Sequence, residues 1–316
     1  MSGVLFRVAG NARAQEDGME IGAWKATQGV NGVFNEIRSL GLESHLAELD
    51  TYGFTVVPPE KASPPGFADR LRDAVVSHTR AQDAAVAAMN VADRAKSSVD
   101  GEHLFHVVKR DAVFREATVV PAAYALASYV LGASLRIYQS SAVMKAGKIN
   151  PVYMHCDSVS VPPPLPPWGV VCNVTWILTD YSRENGALFM VPGSHRLCRH
   201  PTLADQPKCI GGTGDDDIVV PIVAPAGSMC VFHGNTWHGA FGKNNDTTRV
   251  STATIYCRTF MNPAEDFGDI TDEMIAPHGE RFAKLVWRNK WQGYREEGPS
   301  MEKLALSRAS TENQFG

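Results

Sequence analysis

The stretch WGVVCNVTWILTD, residues 168–180, is the clearest indication of the fold. It is rich in β-branched and aromatic residues and lies between turn-forming residues, which is typical of a β-strand. Similar runs occur on both sides of it, at 135–145 (LRIYQSSAVMK), 186–192 (GALFMVP), 215–233 (DDDIVVPIVAPAGSMCVFH) and 249–260 (RVSTATIYCRTF). The chain after residue 132 is therefore predicted to be mainly β-sheet.

The chain before residue 132 has helical patterns instead. HLAELDTYG, residues 45–53, predicts a helix that ends at Gly53, and FTVVPPE, residues 54–60, predicts a short strand. Longer helices are predicted over 67–95 and 112–132, and a further one over 280–291 (ERFAKLVWRNKW). Helices followed by strands predict an α+β protein with a mainly β core, a sandwich or barrel with helices packed on one sheet.

Three segments are predicted along the chain. Residues 1–42 contain several glycines and one short amphipathic stretch, so we expect an N-terminal extension. Residues 43–261 form the main domain. Residues 262–316 return to a helical pattern and end in a polar tail.

Composition excludes several classes of protein. The chain has 316 residues and a formal net charge of −4, from 30 Lys and Arg against 34 Asp and Glu, which argues against a nucleic-acid binder. No apolar run is as long as the roughly 18 residues that a membrane helix needs. The six cysteines form no CxxC pair, and the first 18 residues lack the features of a secretory signal. We therefore expect a cytoplasmic protein.

The tetrapeptide Met154-His155-Cys156-Asp157 carries the strongest chemical signal. In an extended strand residues i and i+2 lie on the same face, so His155 and Asp157 can reach one metal ion together. His238, which follows Asp157 by 81 residues, is the natural third ligand. Two imidazoles and one carboxylate on one face of a metal are typical of non-haem Fe(II) oxygenases. The alternative, for an isolated HxD, is a surface histidine beside a solvated aspartate.

Arg249 supports the oxygenase interpretation. It lies 11 residues after His238 at the start of an apolar run, where its guanidinium can grip a carboxylate through two parallel hydrogen bonds. Ser251 shares its strand face and can add a hydroxyl. A dicarboxylate such as 2-oxoglutarate would bind iron at one end and Arg249 at the other. The alternative for Arg249 alone is an ion pair with a surface carboxylate.

Four stretches together resemble the phytanoyl-CoA dioxygenase family of Fe(II)/2-oxoglutarate oxygenases. They are LDTYGFTVVP (49–58), the His155-Cys156-Asp157 tripeptide, the segment from Ser182 through NGAL and VPGSH (191–195), and GSMCVFH (227–233) running on to His238 and Arg249-Val250-Ser251. Their order along the chain matches that family over roughly residues 43–260. The resemblance implies a double-stranded β-helix, a jelly-roll or cupin-like fold, in the main domain.

The resemblance also implies cofactors and roles. Fe(II), 2-oxoglutarate and O₂ would be used, with oxidative decarboxylation of 2-oxoglutarate driving oxidation of a second substrate. Iron would be bound by His155, Asp157 and His238, and no catalytic residue is expected beyond these ligands. The residues expected to bind 2-oxoglutarate are Arg249, Ser251, Gln139, Asn173 and Thr175, although relatives often have an aromatic residue where Thr175 falls. Relatives that halogenate replace the carboxylate ligand, so Asp157 favours hydroxylation.

The substrate is expected to be a small molecule, with neither nucleic acid nor membrane as partner. Ser141, Trp168 and Trp291 are candidate substrate contacts, with Trp291 in a helical stretch that is either a lid or core packing. We find no basic cluster that would bind the phosphates of coenzyme A. The oligomeric state is left open.

Three alternative functions remain. The same fold can carry out desaturation, cyclisation or epimerisation. A cupin-like isomerase or binding module would not use 2-oxoglutarate, and an oxygenase can also act on protein or nucleic acid, which the acidic charge balance disfavours. The other histidines are interpreted as structural: His195 in a turn, His233 buried and hydrogen-bonded, and His103 and His106 without a carboxylate at metal spacing.

Overall fold

Two antiparallel sheets face each other in the computed structural model, which describes residues 32–89, 103–132, 135–286 and 296–298. The strands are Phe54–Val57 (β1), His103–Phe105 (β2), Arg136–Ala146 (β3), Val152–His155 (β4), Val171–Ile177 (β5), Leu188–Met190 (β6), Val220–Pro221 (β7), Met229–His233 (β8), His238–Ala240 (β9) and Thr248–Cys257 (β10). The major sheet has the order β1-β8-β5-β10-β3-β2, and the minor sheet has the order β4-β9-β6-β7. This is the jelly-roll arrangement that the strand pattern and the family resemblance predict.

Helices cover the outer face of the major sheet. Residues 32–39 are helical, and the other α-helices are Glu43–Tyr52, Pro59–Ala62, Phe67–Ala88, Val107–Arg110, Ala112–Val119, Pro121–Leu131, Asp272–Ile275 and Gly279–Leu285. The even-numbered side chains of β5, Cys172, Val174 and Trp176, pack into the large apolar core beneath these helices. The odd-numbered ones, Asn173, Thr175 and Ile177, therefore face the minor sheet, because successive side chains of a strand point to opposite faces. The predicted packing of helices on one sheet is confirmed.

The first helix and strand follow the sequence pattern closely. The helix Glu43–Tyr52 ends at Gly53, whose φ of 85° allows the left-handed conformation that closes a helix. One predicted helix differs, because residues 112–132 form two helices that meet at Val120 and Pro121. The residue before a proline disfavours the α conformation, so the chain turns there and a new helix begins at the proline.

The segment boundaries stay a prediction, although the structure describes how parts of both end segments pack. Ile37 and Leu42, from the predicted N-terminal extension, are fully buried in the large core, as are Phe282 and Leu285 from the C-terminal segment. Arg281 also forms an ion pair with Glu36 at 2.8 Å, which joins the two segments. Among the described residues, no helix combines the length and apolar character that crossing a bilayer requires.

Candidate metal and co-substrate site

Three predicted ligands meet at the edge of the space between the sheets: His155 at the end of β4, Asp157 just after it, and His238 at the start of β9. We call these three residues the candidate metal site. His155 and His238 are cross-strand partners in the β4–β9 ladder, which brings their rings within 4.3 Å, centroid to centroid. The position of His155 and Asp157 at the end of β4, and the register of β4 with β9, bring the three residues together as the sequence predicts.

The two imidazoles are oriented as metal ligands. Nδ1 of His155 lies 2.9 Å from the carbonyl of Tyr153, and Nδ1 of His238 lies 3.0 Å from the carbonyl of Thr236. A carbonyl only accepts, so both Nδ1 atoms carry the proton and both Nε2 atoms offer a lone pair. These Nε2 atoms lie 3.8 and 3.6 Å from Oδ1 of Asp157. That is too long for a hydrogen bond, yet shorter than twice a metal–ligand distance of about 2.1 Å.

Burial keeps His238 in the form that binds a metal. Its side chain is almost fully buried, and this burial lowers the pKa of His238 below its usual 6.5 despite the opposing effect of the Asp157 carboxylate. The imidazole is therefore neutral at pH 7. The donor set of two neutral imidazoles and one carboxylate fits an Fe(II) ion.

Arg249 lies in the same interior, on β10 of the opposite sheet. It shares a strand face with Ser251, and both residues are 7% exposed. The Arg249 guanidinium lies 5.6 Å from the centre of the Tyr181 ring, and its buried Nε has no hydrogen-bond partner among the described residues. None of the ion pairs among the described residues involves Arg249. A buried guanidinium without a counter-charge is suited to an anionic ligand.

The register of the major sheet brings the other predicted residues to the same inner face. Ile255 of β10 pairs with Gln139 on one side and Asn173 on the other. Ala253 likewise pairs with Ser141 and with Thr175. Side chains of paired residues lie on the same side of a sheet, so these two rows face the interior. Their predicted contacts with co-substrate or substrate stay predictions.

Asn173 and Thr175 also make contacts that the sequence did not predict. Nδ2 of Asn173 donates to Oδ2 of Asp157 at 3.0 Å, and Oγ1 of Thr175 donates to Oδ1 of Asn173 at 2.9 Å. The Asn173 amide thus lies beside the metal-site carboxylate.

Trp168 lies on the loop between β4 and β5. It is 46% exposed, contacts Phe260 edge to face at 5.9 Å and covers the Arg258 guanidinium at 5.0 Å. Trp291 lies outside the described residues. His195 and His233 form a separate buried pair, with ring centres 5.4 Å apart, and neither belongs to the candidate metal site.

Two contacts that support the candidate metal site were not predicted from the sequence. The Gln206 amide holds the free edge of β4 by accepting from the N–H of Met154 and donating to its carbonyl, both at 2.8 Å. Thr236, whose carbonyl orients His238, donates its hydroxyl to the carbonyl of Gly53 at 2.9 Å. No local pattern marks Gln206, whereas Gly53 was identified only as a helix end.

Relatives were found by comparison with known proteins. The chain is 29% identical over 232 residues to dioxygenase af480 of Aspergillus fumigatus, which covers 71% of this chain and 70% of the relative. It is 29% identical over 151 residues to the ectoine dioxygenase of Bordetella parapertussis, covering 41% of this chain and 48%, about half, of that enzyme.

Solved structures support the fold. The epimerase SnoN in complex with Fe³⁺, α-ketoglutarate and nogalamycin RO superposes with a TM-score of 0.51 at 21% identity, covering 70% of this chain and 84% of SnoN. EctD from S. alaskensis with bound Fe gives a TM-score of 0.52 at 21% identity, covering 74% of this chain and 83% of EctD. At such identities the likeness concerns the fold, and it confirms the predicted double-stranded β-helix class.

The family itself is assigned by a match to the model for phytanoyl-CoA dioxygenase (PhyH), which spans residues 49–251. This range includes every residue of the candidate metal site together with Arg249 and Ser251. The family expected from the sequence motifs is thereby confirmed: the chain belongs to the phytanoyl-CoA dioxygenase family of Fe(II)/2-oxoglutarate oxygenases, and it is an oxygenase.

Proposed function

We propose that this oxygenase uses Fe(II), 2-oxoglutarate and O₂ to hydroxylate a C–H bond of a small organic substrate, with release of succinate and CO₂. The observation that carries the proposal is the candidate metal site together with the buried Arg249, whose Nε has no hydrogen-bond partner among the described residues. Solved structures of the same fold contain Fe³⁺ with α-ketoglutarate in SnoN and 2-oxoglutarate in EctD, which supports these cofactors.

Each residue has a definite part in this function. His155, Asp157 and His238 would bind the iron, which when bound supplies the oxidising chemistry together with O₂ and 2-oxoglutarate. Arg249 would hold the distal carboxylate of 2-oxoglutarate through two parallel N–H···O bonds, with the Ser251 hydroxyl as a further donor. His238, Arg249 and Ser251 are buried, which keeps their charged contacts strong, whereas the His155 side chain is 43% exposed.

The substrate is proposed to be a small, largely apolar organic molecule. Trp168 and Phe260 expose aromatic surface. Trp168 lies just before β5 and Phe260 just after β10, and Asn173, which donates to Asp157, lies near the start of β5. Val170 and Ile255 lie between these aromatic residues and the candidate metal site. They pack in one apolar cluster, and Ile255 is the cross-strand neighbour of Asn173. Trp168→Ala is expected to raise the KM for the substrate more than it lowers kcat. Leu203→Ala, which removes an exposed side chain at the start of a 3₁₀-helix, is the control.

The test of the cofactor assignment is an anaerobic titration with Fe(II) and 2-oxoglutarate, followed through the weak metal-to-ligand charge-transfer band in the visible spectrum. The band is expected in the native protein and is expected to vanish in His155→Ala and His238→Ala. His78→Ala is the control, since His78 lies on the helix Phe67–Ala88 on the outer side of the major sheet. Folded, metal-loaded native protein without the band would overturn the assignment of 2-oxoglutarate binding to this site.

A second candidate reaction is favoured by one comparison, since SnoN, whose solved structure has the same fold, is an epimerase. Product mass separates the possibilities: hydroxylation adds one oxygen, desaturation or cyclisation removes two hydrogens, and epimerisation leaves the mass unchanged. Cosubstrate turnover alone, measured as succinate, does not distinguish them.

A further inference from the structure

A chain of three side chains crosses from the major sheet to the candidate metal site. The Thr175 hydroxyl donates to the Asn173 amide oxygen at 2.9 Å, and the Asn173 amide nitrogen donates to Oδ2 of Asp157 at 3.0 Å. Asn173 and Thr175 are 6% and 5% exposed and lie on the same face of β5. Both hydrogen bonds are therefore shielded from competing water.

This chain fixes which way the Asn173 amide points. Its oxygen and nitrogen differ in chemistry but hardly in shape, so the partners decide which of them faces Asp157. The ionised carboxylate of Asp157 can only accept, so the NH₂ group of Asn173 is the part that meets it. The Thr175 hydroxyl then donates to the amide oxygen on the other side and braces the amide in this orientation.

The consequence is that the two oxygens of Asp157 are not equivalent. Oδ2 accepts from Asn173, whereas Oδ1 is the oxygen that lies 3.8 and 3.6 Å from the Nε2 atoms of His155 and His238. A hydrogen bond to Oδ2 resists rotation of the carboxylate, because rotation would break a charge-assisted bond in a buried place. Oδ1 of Asp157 is thereby left without a hydrogen bond from Asn173 and free to face the ion.

We propose that Asn173 and Thr175 are positioning residues for the metal-site carboxylate, which hold Asp157 so that Oδ1 alone is presented to the ion. The inference rests on the proposed metal site and adds to it a role for two residues that do not touch the metal. It also separates them from Arg249 and Ser251, which the proposed function assigns to 2-oxoglutarate.

The test is the affinity of the apo protein for Co(II), measured by calorimetry and by the visible Co(II) spectrum without any turnover. Asn173→Leu removes the donor and is expected to weaken Co(II) binding about 10- to 100-fold, the usual effect of losing a partner that orients a metal ligand. Thr175→Val keeps the shape but removes one neutral hydrogen bond, which is expected to weaken binding about five-fold. Thr175→Ser, which restores the hydroxyl, is expected to recover the native affinity.

Thr252→Val is the matched control. Thr252 is buried on the neighbouring strand β10, but its side chain lies on the opposite face and its hydroxyl has no hydrogen-bond partner among the described residues. The same chemical change there is expected to leave Co(II) affinity unchanged. Thermal unfolding of each apo variant shows that the fold is retained, and if Asn173→Leu does not fold, Thr175→Val and its serine rescue carry the test.

Two outcomes would overturn the proposal. Unchanged Co(II) affinity with weakened 2-oxoglutarate binding to the Co(II)-loaded protein would assign Asn173 to the co-substrate instead. Unchanged Co(II) affinity with a lower melting temperature would make the two residues structural only. Failure of the proposed function is distinguishable from both, because it would show as no Co(II) binding by the native protein or as binding insensitive to His238→Ala.

Discussion

Replacing Arg249 with methionine should stabilise the apo protein while it removes most of the affinity for 2-oxoglutarate. The Arg249 side chain is 7% exposed, and its Nε has no hydrogen-bond partner among the described residues. A buried charge without a counter-charge opposes folding, and replacing buried ionic groups by apolar ones of similar volume often gains about 1–4 kcal/mol. At roughly 2–4 °C per kcal/mol, the melting temperature of apo Arg249→Met should rise by several degrees.

The same substitution should remove most of the affinity for 2-oxoglutarate. Two hydrogen bonds between a guanidinium and a carboxylate are worth about 1.5–3 kcal/mol each, so their loss corresponds to a weakening of roughly 10²- to 10⁴-fold. The assay is thermal unfolding and calorimetric titration of the Co(II)-loaded protein with 2-oxoglutarate under anaerobic conditions. The upward thermal shift that 2-oxoglutarate gives the native protein should be absent in the variant.

Arg199→Met is the control for the change of side chain. Arg199 is exposed and forms two hydrogen bonds with Asp205 at 2.8 and 2.9 Å, so its loss should lower stability slightly and leave 2-oxoglutarate affinity unchanged. The reasoning is refuted if Arg249→Met binds 2-oxoglutarate within about three-fold of the native protein. A fall in the melting temperature of apo Arg249→Met would refute the predicted stabilisation, since it would mean that the guanidinium has stabilising partners.

Three further predictions concern the supports of the site. Gln206→Ala leaves the buried N–H and carbonyl of Met154 without their partners. We expect the free energy of unfolding in urea to fall by about 2–4 kcal/mol and Co(II) binding to weaken. Unchanged Co(II) binding would contradict the view that Gln206 positions β4 and thereby His155. Gly53→Ala places a Cβ 2.5 Å from the Thr236 hydroxyl at a φ of +85°, so it should lower both the melting temperature and Co(II) affinity, whereas native values would show that the backbone there can yield. Burial lowers the pKa of His233 from 6.5 to about 3. Because the folded protein binds this proton less readily than the unfolded chain, the contribution of neutral His233 to the free energy of unfolding is fully present above pH 6.5 and is lost as the pH falls toward 3. The slope is at most about 1.4 kcal/mol per pH unit, and it should flatten in His233→Gln when urea unfolding is measured across that window.

The sequence predicted the elements of the fold where local signals are strong. Long β-branched runs gave the central strands, and Gly53 marks the end of a helix because glycine readily adopts a positive φ. The break at Val120 and Pro121 was missed, because the apolar helical pattern continues across it while the proline ends the first helix. Periodicity alone carries no information on such a break.

The candidate metal site was also predictable, whereas its supports were not. His155 and Asp157 are two residues apart on an extended segment, so strand geometry alone brings them to one face. The contacts of Gln206 with Met154 and of Thr236 with Gly53 join residues 52 and 183 positions apart. Such contacts depend on which main-chain groups meet after the sheets have packed, and no local pattern records that.

The two sheets contribute different parts of the site, and this division decides how a mutation acts. The imidazoles belong to the minor sheet, whose outer face packs in an apolar cluster with Met154 and Phe189. Arg249 belongs to the major sheet, which is fixed from outside by the helical core. Asp157 lies after β4, in the connection that leads to the major sheet, and its hydrogen bond from Asn173 ties this carboxylate of the candidate metal site to that sheet. Under the proposed function, a change in the packing of either sheet alters the distance between the metal site and the guanidinium. We therefore expect 2-oxoglutarate affinity to respond to both cores, and metal affinity to depend mainly on the minor sheet and on Asn173.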